Sequence, residues 1–124
     1  MMHQGNEIKL EKQDGVTLFD IRGDVTAASE PYFARAYGEA DDEGAQKILL
    51  QFEESAYINS GGISVLIQLL AQSNRKGQAI GITGISNHFR KIFTMVGITK
   101  FARIYDTREQ ALEDMSGGQG RPSG

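Results

Sequence analysis

"KILLQFEESAYINSGGISVLIQLL", residues 47–70, decides the fold of this chain. Its opening, Lys47 to Phe52, is a short and continuously apolar run. Such a run fits a central strand of a parallel sheet, buried on both faces. A polar loop follows, and then Ile63, Leu66, Ile67 and Leu70 recur at i, i+3, i+4 and i+7. That spacing predicts an amphipathic helix with one core-facing stripe. Gly77 ends the helix, and "QAIGITGIS" returns as a strand with Ile80 and Ile82 on one face.

The flanks extend the same alternation. On the N-terminal side, "EIKLEK" (7–12) and "VTLFDIRG" (16–23) are strands joined by the turn signal Asp14-Gly15, a hairpin. Ser29 can cap the helix "EPYFARAYGEA", Pro31 suits its first turn, and Phe33, Ala36 and Tyr37 form its apolar side. "ADDEGAQ" reads as a solvated polar turn. On the C-terminal side, Ser86 or Asn87 caps a third helix, with Phe89, Ile92, Phe93 and Val96 as its stripe and Gly97 as its stop. "KFARIY" is a last strand, and "TREQALEDM" opens on a capping box, Thr107 to Gln110, into a closing helix. The order β-β-α-β-α-β-α-β-α predicts an α/β fold: a mixed, mostly parallel sheet of about five strands with about four α-helices packed on it.

Composition bounds the function. The 124 residues suffice for one domain, are 40% hydrophobic and 23% charged, and contain no Trp. A net charge of -3 argues against broad electrostatic binding to nucleic acid or anionic lipid. The absence of cysteine excludes a disulfide framework, a thiolate metal site and a Cys nucleophile. No apolar leader segment and no long apolar run occur, so a cytoplasmic location without membrane insertion is expected. The domain is expected over residues 1–115, with its core about 7–115, and "SGGQGRPSG" (116–124) as a flexible tail.

The loop–helix junction at Ser60 carries the functional signal. Asn59 or Ser60 can be the N-cap, but capping does not explain Gly61-Gly62, since each glycine within a helix costs about 0.8–1.0 kcal/mol relative to Ala. Either the backbone turns tightly or something must come close to Ser60, and glycines without side chains leave its hydroxyl reachable. On the side of the helix opposite the stripe lie Ser64, Gln68, Gln72 and Arg75, with Val65 beside them. The uncharged part, Ser64, Val65 and Gln68, adjoins Ser60 and suits docking of a protein partner, because interface centres are depleted in charge.

Enzymatic readings lack parts. Phosphate-loop, dinucleotide and zinc-protease motifs are absent, and Ser60 precedes its glycines, unlike the nucleophile of a G-x-S-x-G elbow. His3 falls in a frayed end and His88 in the first turn of a surface helix, so neither is a credible base for Ser60. Glu53 and Glu54 read as solvated acids rather than Mg²⁺ ligands. No catalytic residue, metal or cofactor is expected. The hydroxyl is better read as something acted upon.

Several separate stretches, in order, resemble the STAS domain of bacterial anti-sigma factor antagonists: "LFDIRGDVTAASEPYF", "LQFEESAYINSGGISVL", "GITGISNHFRKIFTMVGI" and "DTREQAL". The resemblance runs from about residue 7 to 115. It implies a partner switch, in which the antagonist binds an anti-sigma serine kinase of the histidine-kinase-like ATPase type and frees its client. The kinase then inactivates the antagonist by phosphorylating the serine of D-S-[SG]-G-[LI], and a serine phosphatase is a further candidate partner. That serine falls on Ser60, with Gly61, Gly62 and Ile63 matching the positions after it. Asn59 stands where the family usually has Asp. The implied partner surface comprises Asn59, Ser60, Gly61, Gly62, Ser64, Val65 and Gln68, on a monomer or weak dimer. The alternative is a STAS subunit that works without phosphorylation, as in a lipid-transport ABC system or a stress-signalling scaffold.

Overall fold

The computed structural model describes residues 5–120, with side chains through residue 117. His3 and residues 121–124 of the expected tail lie outside them. Strands β1 (Glu7–Gln13) and β2 (Val16–Arg22) form the expected hairpin, in register Leu10↔Phe19. Then follow α1 (Glu30–Asp42), β3 (Lys47–Gln51), α2 (Ser60–Arg75), β4 (Ala79–Thr83), α3 (Asn87–Met95), β5 (Ala102–Ile104) and α4 (Arg108–Gly120). The sheet order is β1-β2-β3-β4-β5, with β1 antiparallel to β2 and every later pair parallel. Lys47–Gln51 is therefore the middle strand, and Ile48, Leu49 and Leu50 are fully buried. The α/β class and the order of elements are those that the periodicity predicts.

Alternation along each strand divides the core into two layers. Phe19 and Ile21, Ile48 and Leu50, and Ile80 and Ile82 face α1, α2 and α3. Leu18 and Leu49 face the other way, onto Ala111, Leu112 and Met115 of α4. On that side Gly81 makes room, since a Cβ there would stand 2.8 Å from the Met115 sulfur. Helix α4 starts as expected, with Thr107 Oγ1 accepting from the Gln110 N–H (3.0 Å), but it continues past Met115 to Gly120. Ser116 is thus inside a helix and donates to the Leu112 carbonyl (2.6 Å).

Three local expectations need correction. Ser29 precedes α1 but makes no cap hydrogen bond to it. Its hydroxyl instead accepts from the Thr26 N–H (3.0 Å), closing a capping box on the short turn Ala27–Ser29. The acids of "ADDEGAQ" are not merely solvated, and Asp41 and Asp42 are the end of α1 rather than part of a turn. Asp41 pairs with Lys76 (2.5 Å) and accepts from Gln78 Nε2 (3.0 Å), and the hydrogen bond from Lys76 holds its carboxyl below the usual range. Val96 is exposed rather than part of the α3 stripe. Gly97, at φ +89°, turns the chain so that Ile98 fills the core in its place.

Gly38 offers a stability test. It lies inside α1, and a Cβ there would meet no atom within 4 Å. Gly38→Ala should stabilise the domain by about 0.8–1.0 kcal/mol, raising Tm by roughly 3–5 °C. A lowered Tm in a thermal melt would show that this helix face needs the gap.

Candidate functional site

The loops leaving the carboxyl ends of β2 and β3 are stitched together by main-chain hydrogen bonds. Val25 N–H donates to the Tyr57 carbonyl (2.9 Å), and Asn59 N–H donates to the Val25 carbonyl (3.1 Å). Val25 and Ile58 form an isolated parallel bridge. Asp24 Oδ1 accepts from the Tyr57 N–H (2.9 Å), and Glu53 Oε1 accepts from the Gly23 N–H (2.7 Å). Glu53, expected to be solvated, is thus a structural acceptor; Glu54 beside it is exposed. Arg22 is raised above its ordinary pKa by its hydrogen bond to Asp20, and Glu53 adds to the shift from 3.6 Å.

This platform delivers the start of α2. Asn59 is the N-cap: its Oδ1 accepts from the Gly62 N–H (2.9 Å), and its carbonyl accepts from the Ile63 N–H (2.9 Å). The N–H groups of Ser60 and Gly61 have no acceptor among the described residues, and the first turn contains no acid. Ser60 is exposed, and its hydroxyl makes no hydrogen bond among the described residues. The helix dipole and the two free N–H groups leave a positive partial charge next to that hydroxyl. Asn59→Ala should cost about 1 kcal/mol in denaturant unfolding, whereas Asn59→Asp should change stability by less than about 1 kcal/mol, because Asn and Asp cap almost equally well. A loss from Asp as large as from Ala would contradict this cap.

The glycines have a different purpose from the one the sequence suggests. Gly62 is buried, and a Cβ there would fall well under 3.0 Å from the Val25 carbonyl. A Cβ on Gly61 would stand 2.9 Å from the Ala27 nitrogen. What comes close to them is the β2–α1 loop of the same chain. This approach also rotates α2. Its buried residues are Gly62, Val65, Leu66, Leu69, Leu70 and Ser73, while Ile63 and Ile67 are only partly buried. Val65, at 8% exposure, and Gly62 therefore do not belong to an accessible partner surface. Ser60, Ser64 and Gln68 are exposed, with Asn59 and Gly61 half-buried beside them.

Tyr57 joins this surface, although the sequence reading passed over it. Its backbone is held by Asp24 and Val25, yet its side chain is 60% exposed. The ring meets Phe89 edge-on, with centroids 6.0 Å apart, and Phe89 in turn meets His88. The available signal was one aromatic residue in the otherwise small and polar run before Ser60. His88 is exposed in the first turn of α3, as expected. Among the described residues, no group of three or more His, Cys, Asp or Glu could hold a metal, and no helix is long and apolar enough to cross a membrane.

Residues 7–111 match the family model of the STAS domain. Among curated proteins, the chain is similar to the anti-sigma-F factor antagonist RsfB of Mycobacterium tuberculosis, 21% identical over 114 residues, which cover 90% of this chain and 91% of RsfB. Its fold is also that of an anti-sigma factor antagonist from Mycobacterium paratuberculosis (TM-score 0.73, 18% identity, 89% and 93% of the two chains). SpoIIAA, a Bacillus cell fate determinant, aligns in its unphosphorylated form with a TM-score of 0.69 (17% identity, 94% and 100%). Its phosphorylated form aligns with a TM-score of 0.62 (15% identity, 86% and 97%).

Proposed function

The chain belongs to the STAS-domain family, and on that premise we propose that it is the antagonist in a partner switch. It binds an anti-sigma factor, a serine kinase of the histidine-kinase-like ATPase type, through the surface around Ser60, Ser64, Gln68 and Tyr57. Phosphorylation of Ser60 by that kinase ends the complex, and a serine phosphatase restores it. The role is regulatory rather than catalytic.

One observation supports this reading above the others. Ser60 presents a hydroxyl without a hydrogen bond, beside two N–H groups that have no acceptor among the described residues. A phosphate on Ser60 would add about -1.5 to -2 charges. The start of α2 tolerates an anion, whereas a closely packed partner does not. Similarity to RsfB, an anti-sigma-F factor antagonist, and the two phosphorylation forms of SpoIIAA support the same reading.

The uncharged cap Asn59 favours a second reading, a STAS subunit that works without phosphorylation. Incubation with ATP and the anti-sigma kinase of its own cell, followed by fragment mass spectrometry, distinguishes the two. A single phosphate on Ser60 is the expected result. Phosphate on Ser64, Thr83 or Ser86 instead would refute the assignment. A chain that binds its partner but is never phosphorylated would establish the second reading.

A further inference from the structure

Five large apolar side chains stand exposed among the described residues, and three of them fall within the short segment 95–101. They are Met95 (82% exposed), Val96 (45%) and Phe101 (39%), at the end of α3 and in the turn that follows. The stretch around them is basic. Residues 87–105 contain Arg90, Lys91, Lys100 and Arg103 and no acid, hence +4, while the whole chain carries -3. Arg90 and Arg103 pair with Asp106 and Asp114. Lys91 and Lys100 are exposed and have no ion pair among the described residues. Lys91 and Met95, four residues apart, share one side of α3.

The backbone beside this patch is open as well. β5 is an edge strand. Tyr105 N–H donates inward to the Ile82 carbonyl (2.8 Å), so alternation turns the N–H and carbonyl of Ile104 outward. A groove lined by Thr94, Thr99, Phe101 and Ala102 runs along that edge. Met95, Val96, Lys100 and Phe101 lie toward the opposite end of the sheet from Ser60, because α3 runs back from the carboxyl end of β4 to the start of β5.

We propose that this α3–β5 face is a second docking surface, for an acidic protein segment carrying a large apolar side chain, and that it is independent of Ser60. Apolar patches among unpaired cations mark interaction sites for partners of the complementary sign. A second copy docked face to face about a twofold axis would bring the unpaired Lys91 and Lys100 of both copies together, which opposes association. An anionic bilayer would repel the remainder of the chain, which carries -7 when the +4 of residues 87–105 is subtracted from -3.

The test uses the full chain, labelled for NMR and titrated with a synthetic peptide of Glu alternating with Leu and Phe. Chemical-shift changes should centre on residues 91–104 and persist in Ser60→Asp. The double variant Lys91→Glu/Lys100→Glu should weaken binding about tenfold or more, and Met95→Ser, at a side chain with few contacts to lose, should also weaken it. Absence of shifts at millimolar peptide, or shifts centred on Tyr57 and Ser60, would overturn the proposal. So would equal binding of a peptide with Lys in place of Glu. Lys91-dependent binding to phosphatidylserine vesicles in place of the peptide would assign the face to membranes. Broadening of the same signals with protein concentration alone would assign it to a second copy. Either outcome refutes an acidic protein partner.

Discussion

Ser60→Asp should leave the fold intact and weaken partner binding about 30- to 100-fold. The two effects have separate causes. In the free protein the new carboxylate lies in the first turn of α2, which has no acid of its own and leaves the Ser60 and Gly61 N–H groups without acceptors. An anion there gains about 0.3–1 kcal/mol from the helix dipole, so Tm should hold or rise slightly. In the proposed complex the same charge would sit where the partner packs, and misplaced charge at an interface costs several kcal/mol. With each 1.4 kcal/mol equal to a factor of ten, a penalty of about 2–3 kcal/mol gives the stated range. A phosphate, with up to twice the charge and more bulk, should exceed it. Ser60→Ala should bind like the wild type, because a methyl takes no more space than the hydroxyl and leaves no bond unmade. Titration calorimetry against the anti-sigma factor measures all three, and equal affinities for Ala and Asp would sink the electrostatic account.

Gly62→Ala should be the most damaging single-methyl addition near the site. The added carbon would collide with the Val25 carbonyl, and neither backbone can swing aside as a flexible side chain would. Relief requires α2 to move away from the β2–α1 loop, which strains the Asn59–Val25 hydrogen bond and uncovers Val65 and Leu66. Overpacking of this kind typically costs 1–3 kcal/mol, and rigid backbone places this case near about 3 kcal/mol. For a domain of this size Tm should fall by about 10 °C or more. Gly38→Ala makes the same chemical change inside a helix and should do the reverse, so the pair separates close approach from helix propensity. A Gly62→Ala protein as stable as the wild type would mean that the loop and helix are not held this tightly.

The layered fold was legible because its signals are local. The turn at Asp14-Gly15, the apolar run at Lys47 and the stop at Gly97 each lie within the element they define. The rotation of α2 was not legible. Ile63, Val65, Leu66, Ile67, Leu69 and Leu70 make the helix apolar over so much of its girth that periodicity allows several buried stripes. Gly62 selects among them by contact with Val25, a residue far away in sequence, and no local pattern announces that contact. The same distance hid the purpose of both glycines and assigned Val65 to the wrong face. The exposure of Ser60, Ser64 and Gln68 was legible because it tolerates that small rotation. Tyr57 was missed because nothing in the sequence shows that its backbone is clamped while its ring stays outside.

The stitching of the two loops through Val25 separates shape from identity. Two of its hydrogen bonds join main-chain groups and together make the Val25–Ile58 bridge, and the other two take main-chain N–H donors, so the contour around Ser60 is set largely by atoms that every residue except proline possesses. Outward-pointing positions such as Tyr57, Ser64 and Gln68 can then be exchanged without remoulding the surface. Two chains built on this skeleton can keep the same exposed serine in the same pose and still recognise different partners. Rewiring such a circuit, by descent or by design, becomes a matter of repainting a few side chains on a frame that does not move.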